Sequence, residues 1–314
     1  MNRREFNRFG AAAAFGLAAK LGMAETFDYP WKLGVITDEV SPDLTVVLTQ
    51  FFPKYGLKWA EIRNLKIDGK SKYAYKAATP VQLKEFRKQL DDAGVKLSVL
   101  DTDVYKVPLP GTTPIHEAGG ELNPSEGGFQ IQMDNLKKAA EAAHILGTNK
   151  LRIFTFGRVE NPDTVFDRIV EQVNKALPIA KANDVILLVE NEQSCNTVTG
   201  EEINKLLTAI PDRTLMLNWD PGNCAMAGEQ PFPKAWDQFD HSRIGHMHLK
   251  DEADHKWRPV GGGDIDFKDQ FEALKKMHYS NTLSLETHYR NAQRDAYTSS
   301  VESMDGIMKV LKQV

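Results

Sequence analysis

The sequence predicts an α/β protein built as a single (β/α)8 TIM barrel, and three observations favour this fold class. Short, β-branched apolar runs alternate with longer amphipathic segments from Trp31 onward, as in parallel strands joined by helical crossovers. Eight such units fit into about 290 residues, which matches one barrel in number and in length. No Gly-x-Gly-x-x-Gly motif follows the first strand, so the alternative of an open sheet with a dinucleotide site lacks support.

Each predicted strand is a short apolar run. The eight runs cover residues 32–37, 59–65, 96–101, 150–156, 185–191, 215–220, 244–250 and 282–287. Amphipathic segments between them carry apolar residues at intervals of three and four positions, which is typical of helices packed on a sheet. The clearest of these predicted helices cover residues 80–93, 130–146, 162–182 and 267–277.

Composition and charge exclude several classes of protein. The chain is 41% hydrophobic and 26% charged, which excludes a disordered protein, and its 43 acidic residues outnumber the 39 Lys and Arg residues. With a net charge of −4 it has no basic field for a phosphate backbone, so no nucleic acid is expected as a partner. Cys195 and Cys224 are too few for a disulfide framework or a structural zinc site, and the sequence leaves open whether they pair.

Residues 1–24 have the pattern of a twin-arginine signal peptide. Arg3 and Arg4 precede a weakly apolar, alanine-rich run of about 16 residues that ends in Gly-Met-Ala at 22–24, as a cleavage site should. The alternative is a basic amphipathic helix packed on the domain. We therefore predict export to the periplasm, a barrel domain over residues 25–314, and no stable membrane span after cleavage.

One predicted connection is long. Residues 105–128 follow the third strand and contain four prolines and five glycines. A loop of this length within a compact domain usually has a function, and its place after a strand puts it at the catalytic rim of a barrel. We predict that it is a lid or a specificity element.

Four successive strands end in, or close to, a residue that can bind a metal ion. These residues are Glu190, Asp220, His248 and Glu286, and they lie 30, 28 and 38 positions apart, one βα unit each. Because barrel strands present their carboxyl ends at one mouth, the four side chains are expected to meet there. Three carboxylates would repel one another, and with one imidazole they form an oxygen-rich set suited to Mn²⁺, Mg²⁺, Fe²⁺ or Co²⁺.

The same residues carry a family resemblance. The motifs are Val-Glu-Asn at 189–191, Trp-Asp-Pro-Gly-Asn at 219–223, Gly-His-Met-His-Leu-Lys-Asp at 245–251 and Leu-Ser-Leu-Glu-Thr-His at 283–288. Over about residues 31–314 the chain resembles the sugar isomerase/epimerase superfamily with the xylose-isomerase-like barrel, nearest to the ketose 3-epimerases and the inosose isomerases and dehydratases. The resemblance implies one divalent ion, Mn²⁺ before Mg²⁺, Co²⁺, Fe²⁺ or Zn²⁺, with Glu190, Asp220, His248 and Glu286 as its ligands. It also implies that Glu190 and Glu286 are the catalytic residues that move the proton.

Three positions depart from the epimerase pattern. A histidine expected three residues after the metal-binding aspartate is Asn223, an arginine expected six residues after the metal-binding histidine is Asp254, and an acidic residue expected six after the first glutamate is Asn196. These positions hold the substrate in the epimerases. A modified or glycosidic sugar is therefore as compatible with the sequence as a free ketohexose.

A metal chelated by a carbonyl oxygen and a neighbouring hydroxyl would stabilise the enediolate that forms when the intervening C–H is deprotonated. Two carboxylates on opposite faces of that carbon would invert it, which predicts a sugar or cyclitol isomerase or epimerase. A leaving group on the adjacent carbon would make the enzyme a lyase or dehydratase instead. A non-catalytic, exported carbohydrate-binding protein is the rival of another class, whereas a nuclease of the same superfamily is disfavoured by the negative charge. The sugar and the oligomeric state stay open.

Further polar residues near the predicted mouth are candidates for substrate contacts, each with a structural alternative. His246 shares a strand face with His248, so it either contacts that predicted ligand from behind or packs in the barrel interior. Lys250 either stabilises an enolate oxygen or pairs with Glu190 or Asp251. Arg152 either contacts substrate or pairs with a carboxylate beneath the metal. The full set of candidates is Glu61, Arg152, Asn223, His246, Lys250, Trp257 and His288.

Overall fold

The computed structural model describes residues 31–115 and 128–314. The strands in these ranges are β1 (Lys32–Ile36), β2 (Trp59–Ile62), β3 (Asn64–Ile67), β4 (Lys70–Tyr73), β5 (Lys96–Leu100), β6 (Lys150–Ile153), β7 (Ile186–Glu190), β8 (Leu215–Trp219), β9 (Ile244–Leu249), β10 (Asp251–Ala253), β11 (Lys256–Arg258) and β12 (Thr282–Leu285).

Eight of these strands close into one parallel barrel. They are hydrogen-bonded in the order β1-β12-β9-β8-β7-β6-β5-β2, and β2 pairs with β1 to complete the ring. The predicted (β/α)8 barrel is therefore confirmed, and each of the eight predicted strands overlaps one barrel strand. The carboxyl ends of all eight strands point to the same mouth.

Helices surround the barrel. They are α1 (Thr37–Val40), α2 (Leu44–Val46), α3 (Phe52–Tyr55), α4 (Ala74–Ala77), α5 (Pro80–Asp92), α6 (Gln132–Leu146), α7 (Phe166–Ala182), α8 (Gly200–Ala209), α9 (Pro221–Met226), α10 (Phe267–Lys276) and α11 (Ala296–Leu311). Thr79 and Thr199 begin α5 and α8 with reciprocal capping boxes, in which each threonine hydroxyl accepts a backbone N–H from the third helical residue. Gly147 ends α6 with a φ of 89°, a conformation that glycine adopts without strain.

Two antiparallel hairpins extend the wall of the mouth beyond the barrel. The pair β3–β4 follows β2, and the pair β10–β11 follows β9. The sequence prediction of one strand over residues 59–65 was wrong at this point, because the chain turns out of the barrel after Ile62. The Asp68-Gly69 pair, with positive φ at both residues, makes the hairpin turn and is its sequence signature.

The long connection after β5 is described only in part. Its first residues pack inward, since Tyr105, Val107 and Leu109 are buried and the Tyr105 ring lies 4.5 Å from that of Phe156. Residues 116–127, which are half of the predicted lid, lie outside the described residues, as does the predicted signal peptide over residues 1–24. Both stay predictions.

The two cysteines and the helices complete the description of the fold. Cys195 and Cys224 are both buried, free thiols, and burial raises the pKa of each above its ordinary value. Among the helices in the described ranges, none is both long enough and apolar enough to cross a membrane.

Candidate metal centre

The four predicted metal ligands meet at the mouth of the barrel. Glu190 is the last residue of β7, Asp220 follows β8 directly, His248 lies near the end of β9, and Glu286 follows β12 directly. These four strands are consecutive neighbours in the barrel, which is why their ends converge. All four residues are buried, and one ligand atom from each lies within 4.8 Å of those of the others.

The imidazole of His248 faces all three carboxylates through one nitrogen. Its Nδ1 atom lies 3.2 Å from Glu286 Oε2, 3.4 Å from Glu190 Oε1 and 3.5 Å from Asp220 Oδ2. Nδ1 has no hydrogen-bond partner among the described residues. Buried polar atoms without partners are costly unless another group binds them. The donor set of three carboxylates and one imidazole therefore fits a divalent cation.

Basic side chains also neutralise part of the acidic cluster. Lys250 Nζ lies 2.9 Å from Asp220 Oδ2 and 2.8 Å from Glu286 Oε2. Arg152 Nη1 lies 3.2 Å from Glu190 Oε2 and 3.9 Å from Glu286 Oε1. From the sequence we argued that the three carboxylates need a metal ion. That argument was incomplete, because the buried side chains of Lys250 and Arg152 also neutralise them.

These neighbours keep both catalytic candidates ionised. Burial would raise the pKa of Glu286, but Lys250, His288 and His248 outweigh it and hold the pKa well below its ordinary value. Burial acts on Glu190 in the same way, and Arg152 with His248 holds its pKa below the ordinary value. Both carboxylates are therefore present as bases at neutral pH.

Lys250 does not make the ion pairs that the sequence suggested. Its expected acidic partners were Glu190 and Asp251, yet it contacts Asp220 and Glu286. Asp251 is instead held by backbone N–H groups, three of which come from the loop after β11 at residues 261, 263 and 265. Lys250 lies two residues after His248 and therefore points into the same mouth.

Glu61 and His246 lie beneath the mouth. Glu61 is fully buried on β2, and its two carboxylate oxygens each contact one imidazole: Oε2 lies 2.7 Å from His246 Nε2, and Oε1 lies 3.0 Å from His248 Nε2. Both had been candidates for substrate contacts. The geometry places Glu61 in contact with His248, a predicted ligand, and His246 in contact with Glu61.

Asn223 connects two of the predicted ligands. Its backbone N–H donates to Asp220 Oδ1 over 2.9 Å, because Asp220 is the residue that begins helix α9, and its side-chain Nδ2 donates to Glu190 Oε1 over 3.1 Å. At the position where the resembling epimerases carry a histidine, this chain has an amide that holds a carboxylate. Asn223 is 1% exposed and lies behind the ligands.

Trp257 and His288 form a partly exposed wall of the mouth. Their rings meet edge to face at 5.0 Å, and the Lys250 ammonium lies 5.3 Å from the centre of the Trp257 ring. His288 Nε2 lies 3.3 Å from Glu286 Oε1. Of the candidate substrate residues, these two combine proximity to the ligands with exposure to solvent.

Sequence reasoning missed an ionic cluster after β1. Arg63 contacts Asp38 at 2.9 Å, Glu39 at 2.5 Å and Glu286 at 3.2 Å, and Arg290 contacts Glu39 at 2.9 Å. Asp38 and Glu39 lie two and three residues after the end of β1, so the rule that identified the predicted ligands could have identified them as well.

It also missed Asp101, which follows β5 and lies 3.2 Å from Arg152. Burial raises the pKa of Asp101 well above its ordinary value; Arg152 opposes this shift and the neighbouring Glu61 carboxylate reinforces it. A second buried ion pair joins Lys106 to Glu192 over 2.8 Å. The mouth is therefore lined by paired charges.

Comparison with known proteins identifies the fold and several enzymes that share it. The profile of a family described as "xylose isomerase-like TIM barrel" matches residues 53–307. An inosose dehydratase of Clostridium tetani is 24% identical over 154 residues, which cover 43% of this chain and 51% of that enzyme. The chain spans about half the length of the curated relatives it matches.

Solved structures resemble almost the whole barrel. A structure of the IolI protein with a bound zinc atom has a TM-score of 0.69 at 16% identity and covers 90% of this chain and 98% of that one. A structure of L-ribulose 3-epimerase has a TM-score of 0.65 at 18% identity and covers 90% of this chain and 95% of that one. At these identities the likeness establishes the fold alone.

Proposed function

The chain belongs to the xylose isomerase-like TIM barrel family, and we propose that it is a divalent-metal-dependent enzyme that abstracts a proton beside the carbonyl of a sugar or cyclitol. One observation carries the proposal: two ionised, buried glutamates, Glu190 and Glu286, approach the same imidazole nitrogen at 3.4 and 3.2 Å.

The residues that would hold the cation are Glu190, Asp220, His248 and Glu286. A divalent cation bound there supplies a Lewis acid for the carbonyl oxygen of the substrate. The zinc atom in the IolI structure and the oxygen-rich ligand set both support a divalent ion.

Glu190 and Glu286 take the chemical role. They come from β7 and β12, which β8 and β9 separate in the barrel, so the two carboxylates approach the centre from different sides. One carboxylate removes the proton from the carbon beside the carbonyl, and the other returns a proton to the opposite face. Arg152 and Lys250 hold the two carboxylates in place by ion pairs. This arrangement supports an isomerase or epimerase.

Dehydration is a second candidate, favoured by two specific observations. The curated relatives that match this chain are inosose dehydratases. In addition, the two sides of the centre differ: Glu286 has the Lys250 ammonium at 2.8 Å, whereas Glu190 has the Arg152 guanidinium at 3.2 Å and the amide of Asn223 at 3.1 Å. An ammonium can give up a proton, whereas a guanidinium does not. In an elimination Glu190 would take the C–H proton and Lys250 would give a proton to the hydroxyl of the adjacent carbon, which would leave as water. The proton held by Glu190 would then restore the Lys250 ammonium.

One experiment separates these outcomes. The Mn²⁺-loaded protein is incubated in D₂O with a panel of keto-sugars, keto-glycosides and inososes, and the products are followed by NMR and mass spectrometry. Deuterium beside the carbonyl with a changed configuration supports an epimerase, and loss of one water with a conjugated product supports a dehydratase. Binding of a sugar without any deuterium incorporation would contradict the proposal and indicate a carbohydrate-binding protein.

A further inference from the structure

The position of Glu61 suggests a role in orienting the metal-binding histidine. Glu61 lies on β2, which is not a neighbour of β9, so its side chain reaches His246 and His248 across the interior of the barrel. It is fully buried, as are both histidines. Each of its oxygens contacts one Nε2 atom, at 2.7 and 3.0 Å.

An ionised carboxylate can only accept hydrogen bonds, so the Nε2 atom of each histidine must carry the hydrogen in these contacts. A neutral imidazole with a hydrogen on Nε2 has its lone pair on Nδ1. In His248 that Nδ1 atom is the one that lies 3.2 to 3.5 Å from the three carboxylates of the centre. We propose that Glu61 is a positioning residue that fixes the tautomer and the ring orientation of His248 so that Nδ1 faces the cation.

Asn218 is the competing neighbour of the same nitrogen. Its Nδ2 atom lies 3.1 Å from His248 Nε2, and its Oδ1 atom has no hydrogen-bond partner among the described residues. An amide can present either its donor or its acceptor to Nε2, so Asn218 is compatible with both tautomers. The carboxylate of Glu61 is compatible with one only, and it therefore decides between them.

His246 holds the carboxylate of Glu61 in place. The second oxygen of Glu61 accepts from His246 Nε2, and the two imidazoles pack edge to face at 5.4 Å. Because both oxygens are engaged, the carboxylate cannot rotate without losing a hydrogen bond. Such partners of a metal-binding histidine usually raise its metal affinity by about 10- to 100-fold.

The inference rests on the metal centre proposed above, and its test measures metal binding rather than activity. Zn²⁺ alone is titrated into wild-type protein, Glu61→Leu and Glu61→Gln against a competing chelator. Ser284→Ala is the matched control: Ser284 is fully buried and lies opposite His248 in the β12–β9 register, but its hydroxyl has no hydrogen-bond partner among the described residues.

We expect Glu61→Leu to weaken Zn²⁺ binding by about 10- to 100-fold. Glu61→Gln should lose less, because its amide oxygen still accepts from one imidazole, and Ser284→Ala should match the wild type. NMR of histidine-labelled, Zn²⁺-loaded protein should show Nδ1 of His248 bound to zinc and a protected hydrogen on Nε2, which Glu61→Leu loses. If Glu61→Leu does not fold, the smaller loss of Zn²⁺ affinity in Glu61→Gln, measured against Ser284→Ala, carries the test.

Coordination through Nε2 in the wild type, or unchanged affinity and protection in the folded Glu61 variants, would overturn the inference. The proposed function would stand in either case if deuterium exchange persists. Wild-type protein that binds neither Zn²⁺ nor Mn²⁺ would contradict the metal centre itself, and both proposals with it.

Discussion

The two halves of the barrel place charged side chains at the mouth in different ways. One half, which we call the ligand half, consists of β7, β8, β9 and β12, and it brings together the predicted ligands Glu190, Asp220, His248 and Glu286. The other, the support half, consists of β1, β2, β5 and β6 and contributes no residue to that group of four.

The support half instead brings charges that pair across the barrel. Arg152 reaches Glu190, Arg63 reaches Glu286, and Glu61 reaches His248. A buried cluster of carboxylates is costly unless other charges compensate it. The comparison indicates that one half supplies the candidate metal ligands and the other supplies charges that compensate for their burial.

The largest expected effect comes from removing a cation of the support half. Arg152 is buried and contacts Asp101 and Glu190 at 3.2 Å each, so Arg152→Met leaves two buried carboxyl groups without their partner. We expect the free energy of unfolding to fall by about 3–5 kcal/mol, measured by urea denaturation.

The control for this variant is Lys175→Met in the pair between Lys175 and Glu171 on α7, which should change the free energy of unfolding far less because the pair is exposed to solvent. An equally small effect of Arg152→Met would mean that the two halves are not coupled by charge.

Catalysis should depend on both glutamates of the ligand half. Glu190→Gln and Glu286→Gln keep the shape of the side chain and one acceptor oxygen but remove the base. Solvent-deuterium exchange into a substrate identified by the panel should fall by at least about 100-fold in each variant, whereas sugar binding stays detectable by calorimetry. Undiminished exchange in both variants would place the base elsewhere, and Lys250 and His246 would be tested next.

A smaller effect on stability is expected at the amino-terminal end of the support half, away from the mouth of the barrel. Lys150 begins β6, and its ammonium donates to Gly245 O and Asn281 Oδ1, two neutral acceptors. Burial, together with the nearby Lys32, lowers the pKa of Lys150 to about 8. Because an unfolded lysine titrates near about pH 10.4, the unfolded chain binds more protons between these values, and this group makes stability rise with pH.

Lys150→Met should remove that rise. Urea unfolding from about pH 8 to about pH 10 should show the wild type gaining stability relative to Lys150→Met. Lys96→Met, at the exposed start of β5, is the matched control and should follow the wild-type trend. Parallel curves for wild type and Lys150→Met would show that Lys150 is not desolvated.

The two halves also differ in how far the sequence predicted them. The eight strands and the convergence of the four predicted ligands were visible because apolar runs repeat along the chain and because a carboxylate or imidazole closes four of them. The role of Glu61 was not visible, since its partners lie 185 and 187 residues away and meet it only when the barrel closes. The hairpin over β3 and β4 was missed although its Asp-Gly turn was present in the sequence.

The central claim is that Glu190, Asp220, His248 and Glu286 hold one divalent ion, and metal analysis tests it most directly. Protein purified after loading with Mn²⁺ is dialysed, and its metal content is measured for the wild type and for Glu190→Gln, Asp220→Asn, His248→Gln and Glu286→Gln. We expect about one ion per wild-type chain and weaker retention in each variant, since each loses one ligand of a four-ligand set. A stoichiometric ion that survives all four substitutions would contradict the account.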